Sequence, residues 1–202
     1  MRQRVLGISL ILAAGLLAAG SFAATQFNAA NPPPIAPLSG MILYHDAKLG
    51  FAIAYPPHWA VNTAYKYETL GPGKTIFGVS FTISAERIAG TNLAGDTRLS
   101  VEHLAGPGAC QASRFLDSPQ NQRTEANGNR TYSVATSSEG AAGNLYDETV
   151  YVLPGTSPCI AIRYFIHSMN IGNYDPGTVK EFDKDGLVKT FDRMRRSLAL
   201  MK

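Results

Sequence analysis

Two stretches decide the fold: Leu145-Tyr-Asp-Glu-Thr-Val-Tyr-Val-Leu153, and, past a Pro154-Gly155 turn, Cys159-Ile-Ala-Ile-Arg-Tyr-Phe-Ile-His167. Both are rich in β-branched and aromatic residues and too short between turn signals for helices, so they read as consecutive strands. A connection this short joins antiparallel neighbours, because a parallel crossover needs a dozen or more residues. Working outward, extended segments are expected at Met41–Tyr44, Phe51–Tyr55, Ile76–Ile83, Leu99–Leu104 and Arg130–Ser137, with a short helix at Gln111–Leu116. The first two flank a polar turn at Asp46-Ala47-Lys48 and form a hairpin stopped by Pro56-Pro57.

The period changes near the end of the chain. Leu187, Phe191, Met194 and Leu198 recur at i, i+4, i+7 and i+11, one face of an amphipathic helix. Thr178-Val-Lys-Glu181 has capping-box spacing and is expected to start that helix, or a first turn broken near Gly186. Strands through the middle with helices grouped at the end indicate an α+β fold, a mainly antiparallel sheet flanked by helices. There is no internal repeat.

The start of the chain is an export signal in form. Arg2 and Arg4 precede an uncharged run from Val5 to Ala24, whose strongly apolar part spans about 15 residues, short of the ~20 of a spanning helix. Ser21-Phe22-Ala23 supplies the small residues a signal peptidase needs, and Ser21 stands where a lipoprotein signal has its cysteine. Residues 1–23 are expected to be removed, the alternative being a membrane tether through an uncleaved signal. Residues 24–40, with Asn31-Pro32-Pro33-Pro34, read as a disordered linker, and residues 41–202 as a single domain large enough for a real core.

Removing the leader also removes two of the 18 basic residues, leaving the mature chain nearly neutral against its 15 acidic ones. Charged residues make up 16% of the sequence, against a usual ~25%. That composition carries no case for nucleic acid or anionic lipid as a partner. The only cysteines, Cys110 and Cys159, both lie in the exported part and are expected to form a disulfide.

The stretch Gly50-Phe51-Ala52-Ile53-Ala54-Tyr55-Pro56-Pro57-His58-Trp59, and the closing Phe191-Asp-Arg-Met-Arg-Arg-Ser-Leu198, resemble the first hairpin and the final helix of PsbP-like exported proteins. The resemblance implies an α/β/α sandwich, with Phe51, Tyr55 and Trp59 in core or hairpin packing, and a family that mostly binds or helps assemble other proteins. It carries over no functional residue, and the disulfide is not part of the pattern.

Each chemical motif has a plainer reading beside it. Gly71-Pro72-Gly73-Lys74-Thr75 ends like a phosphate-binding loop, but Glu68 stands where that motif needs its first glycine, so a turn before the Ile76 strand is expected. His45, His58, His103 and His167 have no helical metal-pair spacing, so no metal and no cofactor is called. A spatial Cys/His pair would need thiols that the disulfide consumes. No Gly-x-Ser-x-Gly elbow occurs, Asp147-Glu148 point to opposite faces of a strand, and Asp183 and Asp185 suit a helix start. Lys189, Arg193, Arg195 and Arg196 suit the dipole at the helix end.

The segment Ser168–Gly177 is a candidate binding loop through Asn170, Asn173 and Tyr174, with Tyr65 and Tyr67 as possible neighbours, since tyrosine offers contact area at low entropic cost. The functional expectation is a non-catalytic binding or assembly protein of the cell envelope with a protein partner. The alternative is an envelope hydrolase or transferase with a non-local active site.

Overall fold

The computed structural model describes residues 38–201. The expected leader and nearly all of the expected linker lie outside those residues. Within them run ten strands: β1 (Ile42–Asp46), β2 (Phe51–Tyr55), β3 (Ala60–Tyr67), β4 (Ile76–Thr82), β5 (Arg98–Leu104), β6 (Gln120–Asn127), β7 (Arg130–Ala141), β8 (Asn144–Leu153), β9 (Cys159–Met169) and β10 (Ala199–Leu200). The helices are α1 (Ala85–Ile88) and α2 (Lys184–Ser197), with tight helical turns at Ala112–Phe115 and Ile171–Asn173. The fold is α+β, and every pairing between strands is antiparallel.

A seven-stranded sheet runs in the order β3-β4-β5-β9-β8-β7-β6, and a three-stranded sheet in the order β1-β2-β10. The two decisive stretches, now β8 and β9, pair over their full length from Leu153↔Ile160 to Asn144↔Met169 and sit inside the large sheet. Because side chains alternate along a strand, each sheet face has its own core. On the first face Leu99, Val101, Ile162, Tyr164 and Val134 pack against Phe51 and Ile53 of β2 and against Leu187, Phe191, Met194 and Leu198 of α2. The helical period thus finds its partner face, and burying each large apolar side chain contributes about 1.5–3 kcal/mol. Trp59 stands edge-on to Phe191 at 5.7 Å and Tyr55 lies 5.0 Å from Phe81, so the Phe51, Tyr55 and Trp59 set is structural, as expected.

On the second face Ala135, Val150, Val152 and Ala161 lie under Phe115 and Leu116, with Tyr65, Tyr67 and Ile76 beside them. Helical cover here amounts to the turn Ala112–Phe115. The bond between Cys110 and Cys159, with Cα atoms 5.3 Å apart, ties the approach to that turn onto the start of β9.

The β1–β2 connection needs its glycine. Gly50 sits at φ +68°, its N–H donates to the Asp46 carbonyl, and the Asp46 side chain accepts from the Leu49 N–H at 2.8 Å.

The start of α2 differs from expectation. Its N-cap is Asp183, which accepts from the Gly186 N–H at 2.9 Å, and Thr178 caps nothing in α2. Residues 180–182 are held elsewhere: Lys180 bridges to Thr91, donates to Gly90 and accepts from Asn92, while the Asn92 side chain accepts from the Phe182 N–H. Those long-range bonds outcompete a local capping box. Strands β3 and β6 also escape the apolar pattern. Both are edge strands, and β6 (QNQRTEAN) has no buried residue.

Candidate functional site

Arg163 lies at the middle of β9 on the second face and has no solvent exposure. A buried guanidinium is tolerated only when paired and hydrogen-bonded, and the register supplies the partners. Glu102 of the neighbouring β5 accepts Nε at 2.8 Å and Nη2 at 2.9 Å, a two-pronged pair. On the other side Glu148 of β8 accepts from Nη1, and the Phe115 carbonyl accepts from Nη2 at 2.7 Å. Ser100 donates to Glu102 at 2.7 Å, Tyr65 donates to Glu102 at 3.3 Å and Tyr67 donates to Glu148 at 2.9 Å. The Tyr67 ring lies 3.5 Å from the guanidinium carbon. Burial alone would lower the Arg163 pKa, but Glu102 and then Glu148 outweigh it and push it up, so the cation is permanent. Burial, reinforced by Glu102, raises the Tyr65 pKa. Burial raises that of Tyr67 against the opposing pull of Arg163.

Two members of this network, Tyr67 and Glu148, line a surface cavity of about 240 Å³ together with Glu139, Tyr146 and Phe165. An adjoining cavity of about 480 Å³, lined by Leu70, Lys74, Thr75, Leu104 and Arg114, shares Leu116 and Asp117 with it as a common wall. Gly71-Pro72-Gly73-Lys74-Thr75 is the expected turn before β4, closed by a Lys74 N–H to Gly71 carbonyl bond, and it doubles as one wall of the larger cavity. The carboxylates of the smaller cavity and the cations of the larger can orient a bound chain.

The candidate loop is brought together, but largely through its own bonds. Asn170 accepts from the Gly172 N–H at 2.9 Å, Asn173 donates to the Gly143 carbonyl at 3.2 Å, and Tyr174 donates to the Met169 sulfur at 2.9 Å. Tyr65 and Tyr67 correct the sequence reading. They are buried, at 7% and 3% exposure, because their hydroxyls serve the Glu102 and Glu148 carboxylates; Tyr65 lines neither cavity, and Tyr67 meets the exterior only through the smaller one.

The histidines do not assemble. His167 meets Asp96 at 2.7 Å and Asn144 at 3.0 Å and stacks on Tyr146 at 4.4 Å. His103 lies 6.1 Å from Phe51 with neither ring nitrogen bonded. Among the described residues no three His, Cys, Asp or Glu side chains converge as metal ligands. Asp147 pairs with Lys184 at 2.6 Å, away from Glu148 on the other face.

Arg195 departs from its expected role as an exposed helix-end cation. It is 2% exposed, donates from Nε to Tyr164 at 2.8 Å and lies 4.0 Å from the Tyr151 ring. The helix turns it onto the sheet, where Asp192 and Glu125 pair with Nη2 at 3.1 and 3.4 Å while the buried Nη1 has no hydrogen-bond partner.

Sequence reading passed over Arg163 and Glu102, and considered Glu148 only beside Asp147, as strand residues pointing to opposite faces. The available signal was Arg163 itself, a charge inside the apolar run of β9 and in phase with Cys159 and Ala161; a cation at such a position demands carboxylates on the flanking strands.

No protein-family model matches this chain, and no curated protein matches it. Among solved structures it is similar to the solution structure of cyanobacterial PsbP (CyanoP) from Synechocystis sp. PCC 6803, at 15% identity and a TM-score of 0.46, over 81% of this chain and 94% of that one. No residue role described above depends on that likeness.

Proposed function

We propose that this domain is an exported binding module of the cell envelope that docks a polypeptide segment along the second-face groove. The observation that carries the reading is the adjacency of the two cavities, which share Leu116 and Asp117, with Glu148 and Tyr67 of the smaller one held by the buried Arg163 network. Side chains anchored in this way spare the ordering cost that weakens binding. Adjoining cavities lined by apolar, aromatic and charged side chains suit an extended chain. The bond between Cys110 and Cys159 accords with an oxidising compartment, and no helix among the described residues is long and apolar enough to cross a membrane.

Two measurements test this. A photoreactive phenylalanine analogue placed at Thr69, an exposed residue lining the smaller cavity, should give a discrete protein adduct in the producing cell, and the same analogue at exposed Lys189 on α2 should not. Equal adducts from both sites, or none from Thr69, would sink the groove. Intact mass of the exported protein should match residues 24–202 less two hydrogens; a mass retaining the leader would replace export with tethering.

A further inference from the structure

The smaller cavity has a chemistry distinct from the rest of the groove. Its walls are the rings of Tyr146, Phe165 and Tyr67, and its rim carries the carboxylates of Asp117, Glu139 and Glu148, with no lysine or arginine among its lining residues. Glu148 is engaged by Arg163 and Tyr67. Asp117 and Glu139 are exposed and take part in no ion pair among the described residues.

The cations nearby differ in how far they are engaged: Lys74 and Arg114 line the adjoining cavity, which Asp117 also lines, and the buried Nε of Arg98 has no hydrogen-bond partner. Arg163, under the cavity, donates from Nε, Nη1 and Nη2 to Glu102, Glu148 and the Phe115 carbonyl. Arg98 lies 3.9 Å from the Phe165 ring centroid and donates to the Asp96 carbonyl, so it offsets part of the local field without lining the cavity. Aromatic walls beneath uncompensated carboxylates favour a cation carried on an apolar shaft. A planar guanidinium satisfies both features best, since it stacks on rings and bonds carboxylates in pairs.

The shape selects the source of that cation. About 240 Å³ accommodates a long side chain, and across the wall of Leu116 and Asp117 lies the larger cavity, where Lys74 and Arg114 carry the opposite charge. A free amine would fill only the first compartment, whereas a chain laid across both would complement each. Resting on the groove reading above, we infer that this cavity receives a basic side chain of the docked polypeptide, arginine before lysine, with an acidic group of the same segment facing Lys74 and Arg114.

The test is an amide-resolved NMR titration of the oxidised mature protein with the acetylated amides of arginine, lysine, citrulline and glutamate. The arginine derivative should shift the amides of Glu139, Tyr146 and Phe165 saturably, with lysine weaker by several-fold and citrulline, its neutral near-isostere, without saturable effect. Asp117→Asn and Glu139→Gln, both at exposed positions, should each weaken arginine binding about fivefold while leaving the rest of the spectrum in place. Citrulline binding as well as arginine, or shifts spread over carboxylates remote from the groove such as Glu86 and Asp185, would overturn the inference. The cross-link at Thr69 separates the two claims. An adduct without arginine binding refutes the basic-side-chain inference alone, and arginine binding without an adduct refutes the polypeptide source in favour of a free small cation.

Discussion

Arg163 and Glu102 face one another across neighbouring strands through two N–H···O bonds of 2.8 and 2.9 Å, and neither side chain is exposed at all. Removing one member strands the other as a buried charge, which typically costs about 3–5 kcal/mol. Arg163→Met should therefore lower the urea-unfolding free energy by that amount. Arg195→Met should cost less, about 1–2 kcal/mol, because its carboxylate partners Asp192 and Glu125 keep 25% and 31% of their side-chain surface and can be solvated. Equal losses in the two variants would refute the difference drawn between these clusters.

The disulfide closes a loop of 49 residues. In the chain-entropy account that is worth roughly 4 kcal/mol as an upper figure. Cys110→Ser combined with Cys159→Ser should show most of that loss in equilibrium unfolding. Binding at the groove should fall as well, because the bridge anchors the segment that carries Leu116 and Asp117.

His103 makes stability depend on pH in a definite direction. Burial, outweighing the opposing influence of Asp46 and Glu102, holds its pKa below the ordinary 6.5, so the folded protein keeps the ring neutral while the unfolded chain protonates near that value. As pH falls through 6.5 the unfolded state binds the extra proton first, and stability drops until the depressed folded value is passed. Above 6.5 this contribution is fully present. Urea midpoints from pH 8 down to pH 5 should decline less in His103→Leu than in the parent, and parallel curves would remove His103 as the cause.

Gly78 on β4 allows β5 to approach. A Cβ built there would sit 2.2 Å from the Val101 carbonyl oxygen, a backbone atom that moves only with its strand. Gly78→Ala is expected to cost about 1–3 kcal/mol as overpacking, read as a lowered thermal midpoint. An unchanged midpoint would mean that β4 and β5 separate freely.

The loop and the groove make different predictions about the docking surface. Tyr174→Ala removes a bond to Met169 at an exposed site and should leave the adduct formed from position 69 unchanged. Loss of that adduct would return the binding role to Asn170, Asn173 and Tyr174.

Much of this molecule is decided locally. The β-branched runs of β8 and β9 with their short connection, the i, i+4, i+7, i+11 face of α2 and the paired cysteines need only period, propensity and compartment to be read, since each expresses a preference of the chain itself. Tertiary structure decided what depends on competition between distant groups. Asn92 and Gly90 claim residues 180–182 and move the cap of α2 to Asp183, and polar β6 becomes a strand only because β7 offers its edge. Arg163 is an unremarked strand residue and Arg195 a helix-end charge until the register places Glu102, Glu148 and Tyr164 beside them. The physical reason is the same in each case: the free energy of a buried polar group is set by its partners, and partners brought together from 15 to 90 residues away are invisible to any local pattern.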